Sequence, residues 1–325
     1  MTGRLAASLG ELDAVAPDFT AALDVPNGGL WCALPALLAV GLLEGVERYL
    51  QLPKGYYGLD SLLMLLAFMT LARYESIESW RYRAPGEWGK LLGVDRVPEG
   101  RTLRAKIAVL AQHDGPAQWS AELSQRWMAA APKASAVLYI DGHVRVYNGL
   151  CLRATTDYWV NAMDGQPLFV VNQAVDPGLI QVIEQEIVPR IESRLVLAPD
   201  PARLEADPLR HRLTLVFDRE GYSPAFLRRM KEQCIACLTY HKYPGEDWPA
   251  EEFVPAEAPL PSGERMSLQR AERGTCLSNG LWVRERRKRT ERGHQTAILC
   301  TEYRSEVAPL AVAMLARWSQ ENFFK

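Results

Sequence analysis

Apolar positions recur at helical spacing through roughly the first 130 residues, broken at Asn27-Gly28-Gly29, Pro53-Lys54-Gly55 and Pro85-Gly86. No strand-like alternation stands out there, so the pattern predicts a helical N-terminal part over 1–130. Beyond Pro132 the periodicity changes. Ala136–Ile140 is a short β-prone apolar run that ends in Asp141-Gly142, as a buried central strand would. Two more strands are predicted over 157–162 and 167–173, with the turn signal Asp164-Gly165 between them. Asp176-Pro177 then opens a helix running to about Arg194. The unit repeats: Leu213–Phe217 ends in Asp218, Ser223-Pro224 caps a helix to about Gln233, and a fifth strand follows over 235–240.

Three strands, a helix, a strand, a helix and a strand make an α/β unit, with a mixed five-stranded sheet flanked by helices. Residues 243–303 break the alternation with a Pro- and Glu-rich start and short β-prone stretches, and read as a small β insertion within a catalytic unit of 134–325. The closing segment is a helix candidate with Leu310, Met314, Arg317 and Glu321 on one stripe.

Bulk properties narrow this little. The 325 residues carry a formal net charge of −2, so any contact with nucleic acid must come from local clusters. Arg265–Arg292 is one such cluster, with nine Lys/Arg against three Glu. Within it Arg284, Arg286, Arg287, Lys288 and Arg289 are candidate phosphate contacts, or a solvated hairpin tip. In the helical part, Asp95–Arg104 reads as a turn and an Arg-bearing helix. Arg101 and Arg104 there are either phosphate contacts of a small DNA-binding unit or charges on a solvated face.

Six scattered Cys argue for a reducing compartment, with cytoplasm as the default, and the start lacks a signal-peptide pattern. The apolar stretches 30–43 and 62–72 are too short to span a bilayer, so no membrane partner is expected. Cys234 and Cys237 with His241 superficially suggest zinc, but an odd separation on a strand sends the two Cys to opposite faces, and core packing is the better account. The tryptophans form no evident stacking platform. Neither a P-loop nor a Gly-x-Ser-x-Gly elbow occurs.

The chemistry rests on carboxylates. If the strands ending in Asp141 and Asp218 lie parallel and adjacent, both side chains emerge at one sheet edge, where they repel unless a cation lies between them. Oxygen ligands of this kind suit Mg²⁺ or Mn²⁺, and Glu321 on a packed helix would complete a two-metal site. The bland alternative is an Asp that forms a turn or caps a helix, and a solvated Glu. His143 and Glu220, two residues after each Asp, remain open between roles near the metals and ordinary strand-end or turn positions.

Tyr139-Ile140-Asp141-Gly142-His143, Phe217-Asp218-Arg219-Glu220-Gly221-Tyr222 and Arg317–Lys325 resemble the three acidic motifs of bacterial insertion-sequence transposases with an RNase H-like DDE domain. The third is the most specific, because Arg317 precedes Glu321 by four residues, as in the signature helix of the subgroup with a β insertion. The resemblance covers about Ala136–Lys325 and implies an RNase H-like sheet with Asp141, Asp218 and Glu321 as the catalytic metal ligands for Mg²⁺ or Mn²⁺. It also implies that Arg317 contacts the transposon end. Double-stranded DNA, as transposon ends and target, is the implied partner, with a homodimer on DNA. The implied reaction is nicking at transposon ends followed by strand transfer. The chain stops four residues after Glu321, whereas family members continue, so a C-terminally truncated chain is expected. The alternatives are an inactive remnant that only binds DNA and an RNase H-like nuclease without strand transfer.

Overall fold

The computed structural model describes residues 2–12, 15–19, 25, 27–132, 134–147, 153–162, 165–174, 176–194, 201–259, 265–304 and 314. The chain divides into two compact units, Met1–Leu123 and Ser124–Lys325. The boundary falls a little before the expected 130, because Ser124 and Met128 already belong to the second unit. The Ser124 hydroxyl donates to the Leu168 carbonyl, and Met128 lies in the core of that unit.

All regular structure in the first unit is helical among the described residues. Leu59–Leu71 is built almost wholly of strong helix formers, carries Asp60 in its first turn where the helix dipole favours it, and buries Leu62, Leu65, Phe68 and Met69. Against them pack Trp80, Trp88, Leu91, Val94, Val97 and Leu103. The Trp80 and Trp88 rings meet edge to face at 4.7 Å, and the Trp80 indole donates to the Pro98 carbonyl at 2.9 Å.

Gly89 lies inside the helix Pro85–Leu92, where alanine would ordinarily be better by about 1 kcal/mol. A Cβ there would meet the Asp95 carbonyl oxygen at 2.6 Å and the Arg96 Cα at 2.7 Å. Overpacking backbone against backbone costs about 1–3 kcal/mol, so close approach wins over propensity. Gly89→Ala is expected to lower the urea midpoint of the chain. A midpoint unchanged or raised would contradict this packing.

The second unit is one mixed sheet of nine strands in the order β3-β2-β1-β4-β5-β9-β8-β7-β6. The strands are β1 (Val137–Tyr147), β2 (Arg153–Ala162), β3 (Pro167–Gln173), β4 (Leu213–Val216), β5 (Ile235–Tyr240), β6 (Val254–Pro259), β7 (Arg265–Cys276), β8 (Trp282–Arg289) and β9 (Gln295–Cys300). β1, β4 and β5 run parallel, and every other pairing is antiparallel. The sheet therefore has nine strands where five were expected. The strands of 243–303 do not form a separate layer, since β9 pairs with β5 and carries β8, β7 and β6 outward.

Two further differences are local. β1 does not end at Asp141-Gly142 but continues to Tyr147, because its second half pairs with β2 from Asp141↔Trp159 to Tyr147↔Arg153. The helix expected from Asp176-Pro177 starts at Leu179, and the Asp176 carboxylate instead accepts from the Gly178 amide and the Tyr158 hydroxyl. That helix is α-helical over Leu179–Val182 and Val188–Arg194 and π-helical over Ile183–Ile187. Pro224–Glu232 begins as expected, with Ser223 accepting from the Phe226 amide at 3.4 Å.

One sheet face is covered by these two helices. Ile183, Ile187, Phe226 and Met230 pack there on Leu138, Ile140, Leu215, Phe217 and Cys237. The opposite face carries a smaller cluster of Tyr139, Val216, Leu238, Ile298, Cys300 and Met314. Among the described residues no helix is long and apolar enough to cross a membrane.

Candidate active site

The parallel register of β1 and β4 is Val137↔Thr214, Leu138↔Leu215 and Tyr139↔Val216. Asp141 and Asp218 each follow the last of these pairs by two residues. Side chains alternate faces along a strand, so both carboxylates belong to the face of Tyr139 and Val216. Asp141 lies on β1, and Asp218 lies in extended backbone two residues past the end of β4. Both are partly exposed.

Asp218 is held from several directions. The Phe217 amide donates to the Leu238 carbonyl at 3.1 Å, keeping the chain beside β5 past the end of β4. The Thr239 hydroxyl donates to the Asp218 carbonyl at 2.7 Å. The Asp218 carboxylate accepts from the Glu220 amide at 2.9 Å and so caps the short turn Arg219–Gly221. Gly221 is required there, since a Cβ would fall 2.3 Å from the Phe217 ring. The turn-capping alternative is thus realised at Asp218.

Across β1 and β2, Asp141 faces Trp159 and His143 faces Asp157. Asp157 is buried and accepts from the Asn172 side-chain amide at 2.5 Å. His143 is exposed, as is Glu220. Among the described residues no three His, Cys, Asp or Glu side chains form a group that could hold a metal ion. Glu321 and Arg317 lie outside the described residues. Met314 of the same segment is described as helical, is 2 % exposed and packs on the face of Tyr139 and Val216. Burial raises the Tyr139 hydroxyl well above its ordinary pKa, so that group stays neutral.

The basic run is arranged differently from a solvated strip. It forms β8 itself, and the hairpin tip falls at 290–294. Arg286 and Arg287 are buried at 4 % and 3 % exposure. Arg284 and Arg286 both pair with Glu272, the latter at 3.3 Å. Arg287 pairs with Glu285 at 2.8 Å, donates to the Glu246 carbonyl at 2.6 Å and lies over the Trp248 ring at 4.5 Å. These three guanidinium groups are therefore engaged inside the sheet, whereas Lys288 and Arg289 are only half-buried near the tip. In the first unit Arg101 is exposed on the helix Gly100–Leu110, and Arg104 makes an exposed ion pair with Glu78. Cys237 is buried in the core and Cys300 on the other face, and burial pushes both thiols up, which is inert packing chemistry.

Sequence reasoning missed a cleft of about 500 Å³ at the same sheet edge, lined by Asp218, Arg219, His241, Lys242, His294 and Gln295 among others. Lys242 directly follows the Tyr240-His241 end of β5, and that placement was the available signal. A larger cavity of about 580 Å³ lies in the helical unit, but Glu47 and Lys54 are its only charged groups. The chemistry favours the smaller one.

Residues 2–325 match the model of a family described as transposase protein. No curated protein matches the chain. Among solved structures, a piggyBac transposase synaptic complex with hairpin DNA is similar at TM-score 0.37 and 8 % identity, over 87 % of this chain. The chain spans 60 % of the length of that transposase. With the family model covering nearly every residue, the chain belongs to the transposase protein family.

Proposed function

We propose that the chain is a metal-dependent DNA transposase of the RNase H-like DDE type, with Asp141, Asp218 and Glu321 as its acidic triad. The observation that supports this reading is the β1–β4 register, in which Asp141 and Asp218 each follow the last pair, Tyr139↔Val216, by two residues. A three-stranded antiparallel meander followed by two parallel strands supports the RNase H-like assignment. Met314 supports the third carboxylate. On the helix that the sequence pattern predicts, Glu321 would lie seven residues, about 10 Å, past Met314, while Asp141 and Asp218 each lie two residues past Tyr139 and Val216, with which Met314 clusters.

Two adjacent half-exposed carboxylates fit a hard divalent cation, as Mg²⁺ or Mn²⁺ is, and Glu321 would complete the oxygen set. Such ions would make the attacking oxygen a better nucleophile and stabilise the leaving one. The protein's own work is placement. β1 carries Asp141, and the Glu220 amide and Thr239 hydroxyl would hold Asp218, just past the end of β4, still for in-line displacement. Lys288, Arg289, Arg101 and Arg104 are the surface cations we assign to DNA phosphates, with Arg317 at the transposon end. Arg104 is not lost to this role, because an exposed ion pair is worth little and opens readily. Two copies would hold two DNA ends together.

The test uses the full chain with a supercoiled plasmid carrying the DNA that flanks its gene on both sides, in Mg²⁺ or Mn²⁺. Nicks at both junctions, with the freed 3′-hydroxyls joined to a second plasmid, are expected. Cleavage without joining would mark a nuclease. Binding without nicking even in Mn²⁺ would mark a DNA-binding remnant, and neither binding nor nicking would end the reading.

A further inference from the structure

We infer that the cleft beside Asp218 is a subsite for a DNA backbone phosphate next to the scissile bond, with Arg219 and Lys242 as its positioning cations. This rests on the transposase reading above. The cleft sits at the C-terminal edge of β4 and β5 and the start of β9, where Asp218 lines its wall. Arg219 and Lys242 supply two permanent positive charges, and His241 and His294 add two imidazoles, against a single lining carboxylate. Such a lining selects an anion.

Availability separates these cations from the basic run of β8. Arg284, Arg286 and Arg287 are paired with Glu272 and Glu285. Among the described residues neither Arg219 nor Lys242 has an ion-pair partner, and both are exposed. The nearest organised feature around Lys242 is aromatic. Its ammonium lies 5.7 Å from the Tyr243 ring centroid, Tyr243 is 70 % exposed, and Tyr222 links Tyr243 to His241 at 6.1 and 5.6 Å. A basic cleft rimmed by an exposed aromatic ring suits a nucleotide strand, whose phosphate meets the cations while its sugar and base pass the ring.

The wall behind the cleft is rigid. His241 Nδ1 lies 3.3 Å from the Glu285 carboxylate, which Arg287 grips from its other side. The His241 amide donates to the Ala297 carbonyl at 2.9 Å, tying the end of β5 to β9. Lys242 therefore follows directly on an anchored residue, two positions past the end of β5. With Asp218 in the same wall, a phosphate held here lies beside one carboxylate of the proposed acidic pair, where a strand anchored would present its neighbouring bond.

The experiment measures binding of the full chain to a fluorescein-labelled duplex of random sequence, by anisotropy, across a KCl series in Ca²⁺. Each phosphate neutralised contributes about 0.9 to the slope of log K against log salt. Arg219→Gln and Lys242→Gln are each expected to reduce that slope by about one, and Arg190→Gln to leave it unchanged. Arg190 pairs with Glu186 on a helix over the opposite sheet face. Circular dichroism of each variant verifies that it is folded, which two exposed positions should allow. If the parent binds with a steep slope and the two cleft variants match it, the subsite is wrong and the transposase reading stands. If the parent itself shows no salt-dependent binding, both fall together.

Discussion

Asp141→Asn and Asp218→Asn are each expected to reduce Mg²⁺-dependent DNA cleavage by about a thousandfold or more while leaving DNA affinity nearly intact. The size follows from the role proposed for the pair. A ligand that removes one unit of negative charge from a shared cation site weakens its hold on the ion, and metal stabilisation of a phosphoryl transfer is worth several kcal/mol, where about 1.4 kcal/mol is tenfold in rate. The isosteric amide preserves shape, and at Asp218 its carbonyl oxygen can still accept from the Glu220 amide and cap the turn. Folding is thus spared, and the loss is confined to turnover. The discriminating comparison is Asp157→Asn. Asp157 lies on the same sheet face but is buried opposite His143 and bonded to Asn172, so it should cost stability and far less cleavage. Equal cleavage by Asp141→Asn and the parent, or an equal loss in all three variants, would remove the acidic pair from the chemistry.

The aspartates were legible because each closes a short apolar run, and a strand buried on both faces writes itself as such a run. What could not be read was the fate of the chain after them. β1 passes through Asp141 because His143 to Tyr147 find partners on β2, and that alternation is too weak to separate from a loop. The joining of β9 to β5 was hidden for another reason. Leu238 pairs with Cys300 across 62 positions, and no local pattern encodes which edge a later hairpin will find. The cations of β8 misled in the same way. Five basic residues within 284–289 read as phosphate contacts or a solvated tip, yet Arg284, Arg286 and Arg287 find partners in Glu272, Trp248 and the Pro244 and Glu246 carbonyls, from β7 and from the segment before β6. The cleft depends on the β5–β9 pairing, since it lies where those two strands meet.

The second large effect expected is on folding, at the pair Glu285 and Arg287. Their side chains are only 5 % and 2 % exposed, and they meet at 2.8 Å. Burial by itself would raise the Glu285 pKa, but the facing His241 imidazole and Arg287 guanidinium outweigh it and hold the carboxyl below its ordinary range. Glu285→Ala leaves the buried guanidinium with only the exposed Asp247 carboxylate, 4.0 Å away, as counter-charge and should destabilise by up to roughly 3–5 kcal/mol, and Arg287→Met should cost a similar amount by leaving the carboxylate with His241 alone. Glu285→Leu with Arg287→Met, an apolar pair of similar volume, should recover most of the loss, because replacing both partners removes the desolvation penalty along with the attraction. The pH dependence has a definite sign. A depressed folded-state pKa contributes stability that is complete above the unfolded value of about 4.3 and is lost as pH falls through the lower folded value. The gap in urea midpoint between the parent and Glu285→Gln should therefore be constant near neutrality and narrow only at acid pH below that value. A gap that instead closes near neutral pH would show that Glu285 is not the group that carries the linkage. Single variants with midpoints within experimental error of the parent would mean that the buried pair contributes nothing to the fold and that the wall behind the cleft is held by the β5–β9 ladder alone.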